Sequence, residues 1–190
     1  EGDVWTHTGM VCEALVALPA WRAHPAAARA IVFAGAALHD IGKAASTRVE
    51  PDGRITSRGH SGRGEAMART LLWRAGVPFG AREHVCALIR HHQVPFFLVE
   101  SEEPVARQKL ARLSTTTVCR WLVLVAEADA RGRRCSDPRD RQRIIDSTRL
   151  FVELAAEEGV LDLPRRFPSD HTRFVYLRQD DPARRSPDVV

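Results

Sequence analysis

Apolar side chains recur at three- and four-residue steps through nearly the whole chain, and that period commits it to packed helices. In the first segment Val4, His7, Val11, Ala14, Leu15 and Leu18 share one face, which ends at Pro19. Pro25 opens a second helix through Ile31, Gly35, Leu38 and His39 that closes at Gly42. A third helix runs from about His60 to Ala75 and stops at Gly76. The fourth carries Val85, Leu88 and Ile89 and ends near His92, ahead of Pro95. A short helical stretch over 104–112 precedes the strongest helix, 114–131, whose stripe is Val118, Trp121, Leu122, Val125, Ala126 and Asp129. Asp137-Pro138 caps the last long helix, which Gly159 ends. The pattern predicts an all-α bundle.

Three stretches depart from it. Glu50-Pro51-Asp52-Gly53 is a turn between Val49 and Ile55, which predicts a small hairpin inserted around 48–58. Residues 93–104 read as a loop containing the apolar run Pro95 to Val99. From 160 onward the chain is rich in Pro, Arg and Asp, with one strand-like run from Arg173 to Arg178. We therefore divide it into a domain over 1–160 and an extension over 161–190, either packed or leading to a further domain. The chain starts at Glu1, close to a candidate functional His7, and reads as a piece of a longer polypeptide.

At 190 residues the chain is long enough to bury one core. It has no apolar run near the ~20 residues of a membrane helix. Cys12, Cys86, Cys119 and Cys135 form no C-x-x-C pair, and the first three lie in apolar helical runs. Such cysteines act as small hydrophobes and point to a reducing cytoplasm. Of 28 basic residues only Lys43 and Lys109 are lysine. The cluster Arg131, Arg133, Arg134, Arg139, Arg141 and Arg143 is either a solvated face or a surface for a phosphate-rich partner.

The chemistry is carried by polar residues standing where helices need apolar ones. His7 lies on the stripe of the first helix and Asp129 on that of the 114–131 helix, while His39-Asp40 follows Leu38. A buried lone carboxylate is costly unless it is paired or bound to metal. Singly, His7 reads as a satisfied core histidine and Asp129 as the partner of an arginine. Together, His7, His39, Asp40 and Asp129 supply the imidazole and carboxylate donors that suit Mn, Fe, Co, Ni or Zn.

The run Ala37-Leu38-His39-Asp40-Ile41-Gly42-Lys43 resembles the signature of the HD superfamily of metal-dependent phosphohydrolases. The resemblance covers about residues 1–135 and implies one metal held by His7, His39, Asp40 and Asp129. Two-metal subfamilies add two histidines between the doublet and the last Asp, which implies His60 and His91 with Asp40 shared. The stripe Val85, Leu88, Ile89, His92 favours His92 as core-facing. In two-metal relatives the first histidine of such a pair usually coordinates, so His91 is assigned as the ligand and His92 as a substrate contact. The resemblance gives Lys43 a phosphate contact that makes it catalytic alongside Asp40. Arg63, on the same side of its helix as His60, is a further candidate for binding substrate.

Within the superfamily, the opening Glu1 to Thr8 and the segment Arg58 to Glu65 resemble two bacterial relatives. One is the HD domain of transfer-RNA nucleotidyltransferases. The other is the HD domain fused ahead of a P-loop polynucleotide kinase in RNA end-healing enzymes, which Ile89 to Phe96 and Phe174 to Arg178 resemble more. The implied partner is an RNA 3′ end, the implied reaction removal of a 2′,3′-cyclic, 2′- or 3′-phosphate, and the implied neighbour a C-terminal kinase absent from this chain. The alternatives are a phosphodiesterase or phosphatase on small nucleotides, an activity of the nucleotidyltransferase type, and a non-catalytic RNA-binding module.

Overall fold

A computed structural model describes residues 3–134 and 137–178. The expected all-α bundle is what forms. Its helices are α1 (Val4–Ala17), α2 (Pro19–Arg22), α3 (Ala26–Leu38), α4 (Lys43–Ser46), α5 (His60–Arg74) and α6 (Phe79–His91). They continue as α7 (Val94–Phe97), α8 (Glu103–Ser114), α9 (Cys119–Gly132), α10 (Pro138–Glu157) and α11 (Asp170–Arg178). The one sheet among the described residues is a hairpin of β1 (Arg48–Val49) and β2 (Ile55–Thr56), antiparallel, with Arg48 opposite Thr56. No helix among the described residues is long and apolar enough to cross a membrane.

The packing follows from the stripes. α1 lies along α9 and α3, α3 also packs on α6 and α9, α5 on α6, and α10 on α9 and α7. Val11 and Leu15 of α1, Val32 of α3, Leu88 of α6, Leu122 and Val125 of α9 and Phe151 of α10 form one fully buried cluster. Burying each such side chain contributes about 1.5–3 kcal/mol, which fixes the order of the helices. At one crossing only glycine fits. A Cβ on Gly132 would stand 2.8 Å from the backbone nitrogen of Val11, so α1 and α9 touch there backbone to backbone. That contact brings His7, early in α1, toward Asp129, late in α9.

Three local expectations are corrected. Residues 93–104 are not an open loop: they form α7 and a 3-10 turn, Leu98–Glu100, and Pro95, Phe96 and Leu98 are buried. Pro95 is tolerated because it sits in the first turn of α7, where no helical N–H is lost. The stretch before the 114–131 helix is a longer helix, α8, and α9 starts only at Cys119. The strand-like run 173–178 is helical. Ser169 Oγ accepts a hydrogen bond from the backbone N–H of Thr172, capping α11, and the one sheet among the described residues is the β1–β2 hairpin, which this run does not join.

Between residues 160 and 176 the chain stays in contact with the bundle. Val160 and Leu161 belong to the core, and the Arg165 backbone N–H donates to Ser114 Oγ. The Arg112 guanidinium donates to the Tyr176 carbonyl. Cys86 and Cys119 are buried and Cys12 is half-buried, all three as free thiols, while Cys135 lies outside the described residues.

Candidate metal centre

Six polar side chains converge at one end of the bundle because each stands at or near the end of a helix. His7 is in the first turns of α1, His39 and Asp40 follow directly on α3, and His60 is the first residue of α5. His92 immediately follows α6, and Asp129 lies in the last turn of α9. All six are buried.

They divide into two donor groups, His7, His39 and Asp129 on one side and Asp40, His60 and His92 on the other. Asp40 faces both. Its Oδ2 lies 3.2 Å from His39 Nε2 and 3.8 Å from His7 Nε2. Its Oδ1 lies 3.4 Å from His60 Nε2 and 3.9 Å from His92 Nε2. In the first group His7 Nε2 is 3.1 Å from Asp129 Oδ1.

The imidazoles are oriented by their own backbone. His39 Nδ1 contacts the Ala36 carbonyl at 2.7 Å, His60 Nδ1 that of Ser57 at 2.8 Å and His92 Nδ1 that of Ile89 at 2.8 Å. A carbonyl only accepts, so in each ring Nδ1 donates, and a neutral ring keeps its Nε2 lone pair facing the centre. This is the outer-shell arrangement that holds metal-binding histidines in place. The Nε2 atoms of His60 and His92 face one another at 3.5 Å, and His39 Nε2 is buried with no hydrogen-bond partner. Ring nitrogens that converge beside two buried carboxylates are the donor set that a shared cation requires. The donor set fits divalent ions of the Mn, Fe, Co, Ni and Zn type.

Burial pushes the His39 imidazole down, but Asp40 and Asp129 outweigh it and hold the ring above its ordinary value, so a cation bound here would displace a proton. Burial pushes the Asp40 carboxyl up, but His39 and the Lys43 ammonium outweigh it and hold it well below the usual carboxylate range. Lys43 Nζ is 2.7 Å from Asp40 Oδ2. Asp129 is held low in the same way, by His7 and Arg133 against burial. Burial, reinforced by the charge of His39, pushes His92 down to about 4, which keeps its ring neutral and able to donate a lone pair.

The sequence expectations fare unevenly. His7, His39, Asp40, Asp129 and His60 are brought together. His91 is not: the structure puts His92 with Asp40 and His60, so the helical stripe was the better guide than the order of the pair. One residue is about a 100° turn of helix, and it sends His91 into a cavity shared with Val94, Lys109 and Leu113. Lys43 stands at the site. Arg63 does not line the opening beside it; the side chain is exposed, with its guanidinium on the Ala45 carbonyl.

Two features go beyond the sequence reading, which offered Asp129 an arginine partner without singling one out. Arg133 makes a paired contact to Asp129, Nε to Oδ1 at 3.1 Å and a terminal nitrogen to Oδ2 at 2.8 Å, with its guanidinium over the Phe96 ring. Its position four residues after Asp129 on a helical stripe was the available signal. Of the arginine cluster, Arg131 pairs with Glu127, Arg143 with Asp140, and Arg141 donates to the Arg133 carbonyl. The second feature is an opening of about 420 Å³ beside His60 and Lys43, lined also by Ile55, Arg58, Ser61 and Gln93.

Gly42 of the signature run explains how the two halves meet. A Cβ there would stand 2.0 Å from the His60 carbonyl oxygen and 2.6 Å from the Gly64 nitrogen. The turn after Asp40 therefore lies directly on the first turn of α5, and His60 is fixed against Asp40.

A family model for the HD domain matches residues 4–131. The match spans well over half the chain, all six donors included, and the chain belongs to that family of metal-dependent phosphohydrolases. No curated protein sequence and no solved structure gives a significant match to it.

Proposed function

We propose that this chain is a two-metal HD phosphohydrolase that removes a 2′,3′-cyclic, 2′- or 3′-phosphate from RNA 3′ ends. The observation that carries the two-metal part is Asp40, whose two oxygens face separate donor groups, with His60 and His92 completing the second. His7, His39, Asp40 and Asp129 would hold one ion, and Asp40, His60 and His92 the other. Divalent ions in such a pair supply an activated water and neutralise phosphoryl oxygens.

The chain's own residues do the rest. Lys43 is partly exposed at the rim of the opening and carries the positive charge nearest the buried carboxylates. It is placed to turn toward a substrate phosphate and stabilise charge on the departing oxygen. Ser61 and Gln93 offer neutral donors at the same opening, suited to sugar hydroxyls and phosphate. The burial of all six donors keeps bulk water from the reacting atoms, where low dielectric strengthens each charge. No serine or cysteine nucleophile is needed.

The choice of RNA ends rests on the resemblance of the Arg58 to Glu65 and Ile89 to Phe96 segments to end-healing enzymes, which also implies a kinase domain C-terminal to this chain. The test is hydrolysis of short RNAs ending in cyclic, 2′- or 3′-phosphate, compared with cyclic dinucleotides and bis(p-nitrophenyl) phosphate, across Mn, Co, Ni, Zn and Mg. RNA ends should be the best substrates with a transition metal. Faster turnover of cyclic dinucleotides or the small diester would replace the proposal with a small-nucleotide phosphohydrolase. Failure to bind metal or hydrolyse any of them would leave a non-catalytic module.

A further inference from the structure

The opening beside the donor groups continues across the surface. A second concavity of about 380 Å³ shares Ser61 and Gln93 with it and adds Arg90, Phe97 and Lys109. A third, of about 250 Å³, shares Val94 and Lys109 with the second and adds His91 and Arg112. The three adjoin as one groove leading away from the site over the ends of α6, α7 and α8.

Its charge is one-sided. Lys43, Arg58, Arg90, Lys109 and Arg112 line it, and no Asp or Glu does, in a chain with 24 acidic residues. Both lysines of the chain are among these five. Phe97 lies in the groove, 57 % exposed as a residue, beside a buried Phe96 that it meets edge to face. Lys43 rests on Asp40 and Arg90 lies 3.8 Å from Glu65, but neither carboxylate lines the groove, and an exposed aromatic ring among cations is the make-up of a surface that binds a single strand by its backbone and by stacking its bases. Of the arginines after Asp129, Arg131 and Arg143 pair with carboxylates of their own helices, Arg133 holds Asp129 and Arg141 donates to the Arg133 carbonyl, and none of the four lines the groove.

We propose that the nucleotides preceding the reacting 3′ end lie along this groove, with phosphates on Arg90 and Lys109 and a base on Phe97. This rests on the RNA-end reading above and extends it from the terminal phosphate to the strand behind it.

The test is a length series of single-stranded RNAs, from a dinucleotide to an octanucleotide, each ending in the phosphate that is hydrolysed best. Affinity would be read by fluorescence anisotropy and turnover as kcat/KM, with melting curves to establish folding. For the intact chain both should rise with length. Arg90→Gln with Lys109→Gln should flatten that rise and lower the salt slope of octanucleotide binding by roughly 1.4, at about 0.7 per lost phosphate contact. Phe97→Ala should weaken octanucleotide binding roughly 5- to 150-fold, the range for one lost base stack. Folded variants with an unchanged length dependence and salt slope would overturn the groove while leaving RNA-end hydrolysis standing. An intact chain that neither binds nor hydrolyses any RNA of the series would overturn both.

Discussion

Replacing Gly42 by alanine tests how the centre is built. The added Cβ would lie 2.0 Å from the His60 carbonyl oxygen, 2.6 Å from the Gly64 nitrogen and 3.0 Å from its Cα, where ordinary contact begins near 3.4 Å. All three neighbours are backbone, so no side chain can swing aside. The first turn of α5 must retreat from Asp40 by more than an ångström, and it carries His60, whose Nε2 now lies 3.4 Å from Asp40 Oδ1. Metal-ligand distances tolerate only about 0.2 Å. The group of Asp40, His60 and His92 should therefore lose its ion, while His7, His39 and Asp129, on other helices, keep theirs. Overpacking of this kind costs about 1–3 kcal/mol, which lowers the melting temperature by roughly 2–4 °C per kcal/mol in a domain of this size. The assay is metal per chain by plasma mass spectrometry, beside a melting curve of the chelator-treated protein. Gly9 of α1 is the control, because a Cβ there meets nothing within 4 Å, so Gly9→Ala should stabilise by about 0.5–1 kcal/mol. A Gly42→Ala protein with two ions at wild-type affinity and an unchanged melting temperature would refute this account of the signature glycine.

Other measurements probe separate links. His92→Ala should lower bound metal and abolish turnover, whereas His91→Ala should leave metal content as it was; the reverse result would restore His91 as the ligand. Burial opposes ionisation of Asp129, but His7 and Arg133 outweigh it, so its contribution to stability is complete above about pH 4 and is lost as pH falls below that. In chelator-treated protein, Asp129→Asn should thus lower the melting temperature at pH 7, and by a somewhat smaller amount at pH 3, where the folded carboxyl is still ionised; a deficit absent at pH 7 or larger at pH 3 would count against the ion pair. Arg133→Gln should destabilise the metal-free protein, since it leaves that carboxylate buried beside His7 with no guanidinium, and added metal should restore much of the loss in a thermal melt. Burial pushes the Cys119 thiol up to about 12, so iodoacetamide at pH 8 should leave it unmodified in the folded protein by mass spectrometry and label it once the chain is unfolded.

What the sequence made legible follows from which interactions are periodic. Helical stripes repeat, so the bundle and the intrusion of His7 and Asp129 into it could be read directly, as could the turn that makes the hairpin. A two-residue strand pair has no period to detect, and Glu50 to Gly53 sufficed because turn chemistry is local. The misreadings lie where non-local packing decided. Residues 94–100 look like loop because Pro95 and two phenylalanines interrupt the pattern, yet burial of Phe96 against α9 and α10 makes them helical. The 173–178 run has strand-like side chains but pairs with neither strand of the hairpin and is capped as a helix by Ser169. The choice between His91 and His92 is the most instructive case. The spacing Val85, Leu88, Ile89, His92 is a statement about which face of α6 is buried, and burial is what brings a ring nitrogen to Asp40. The order of the pair carries no such constraint. Arg133 went unnamed for another reason: Asp129 was legible as a core-facing residue that an arginine could pair with, but several arginines follow it, and only the observed contact singles out the one whose guanidinium goes with the carboxylate. The residues that carry the chemistry were thus visible as violations of the apolar pattern, whereas those that hold them in place obeyed ordinary surface rules and became visible only through packing.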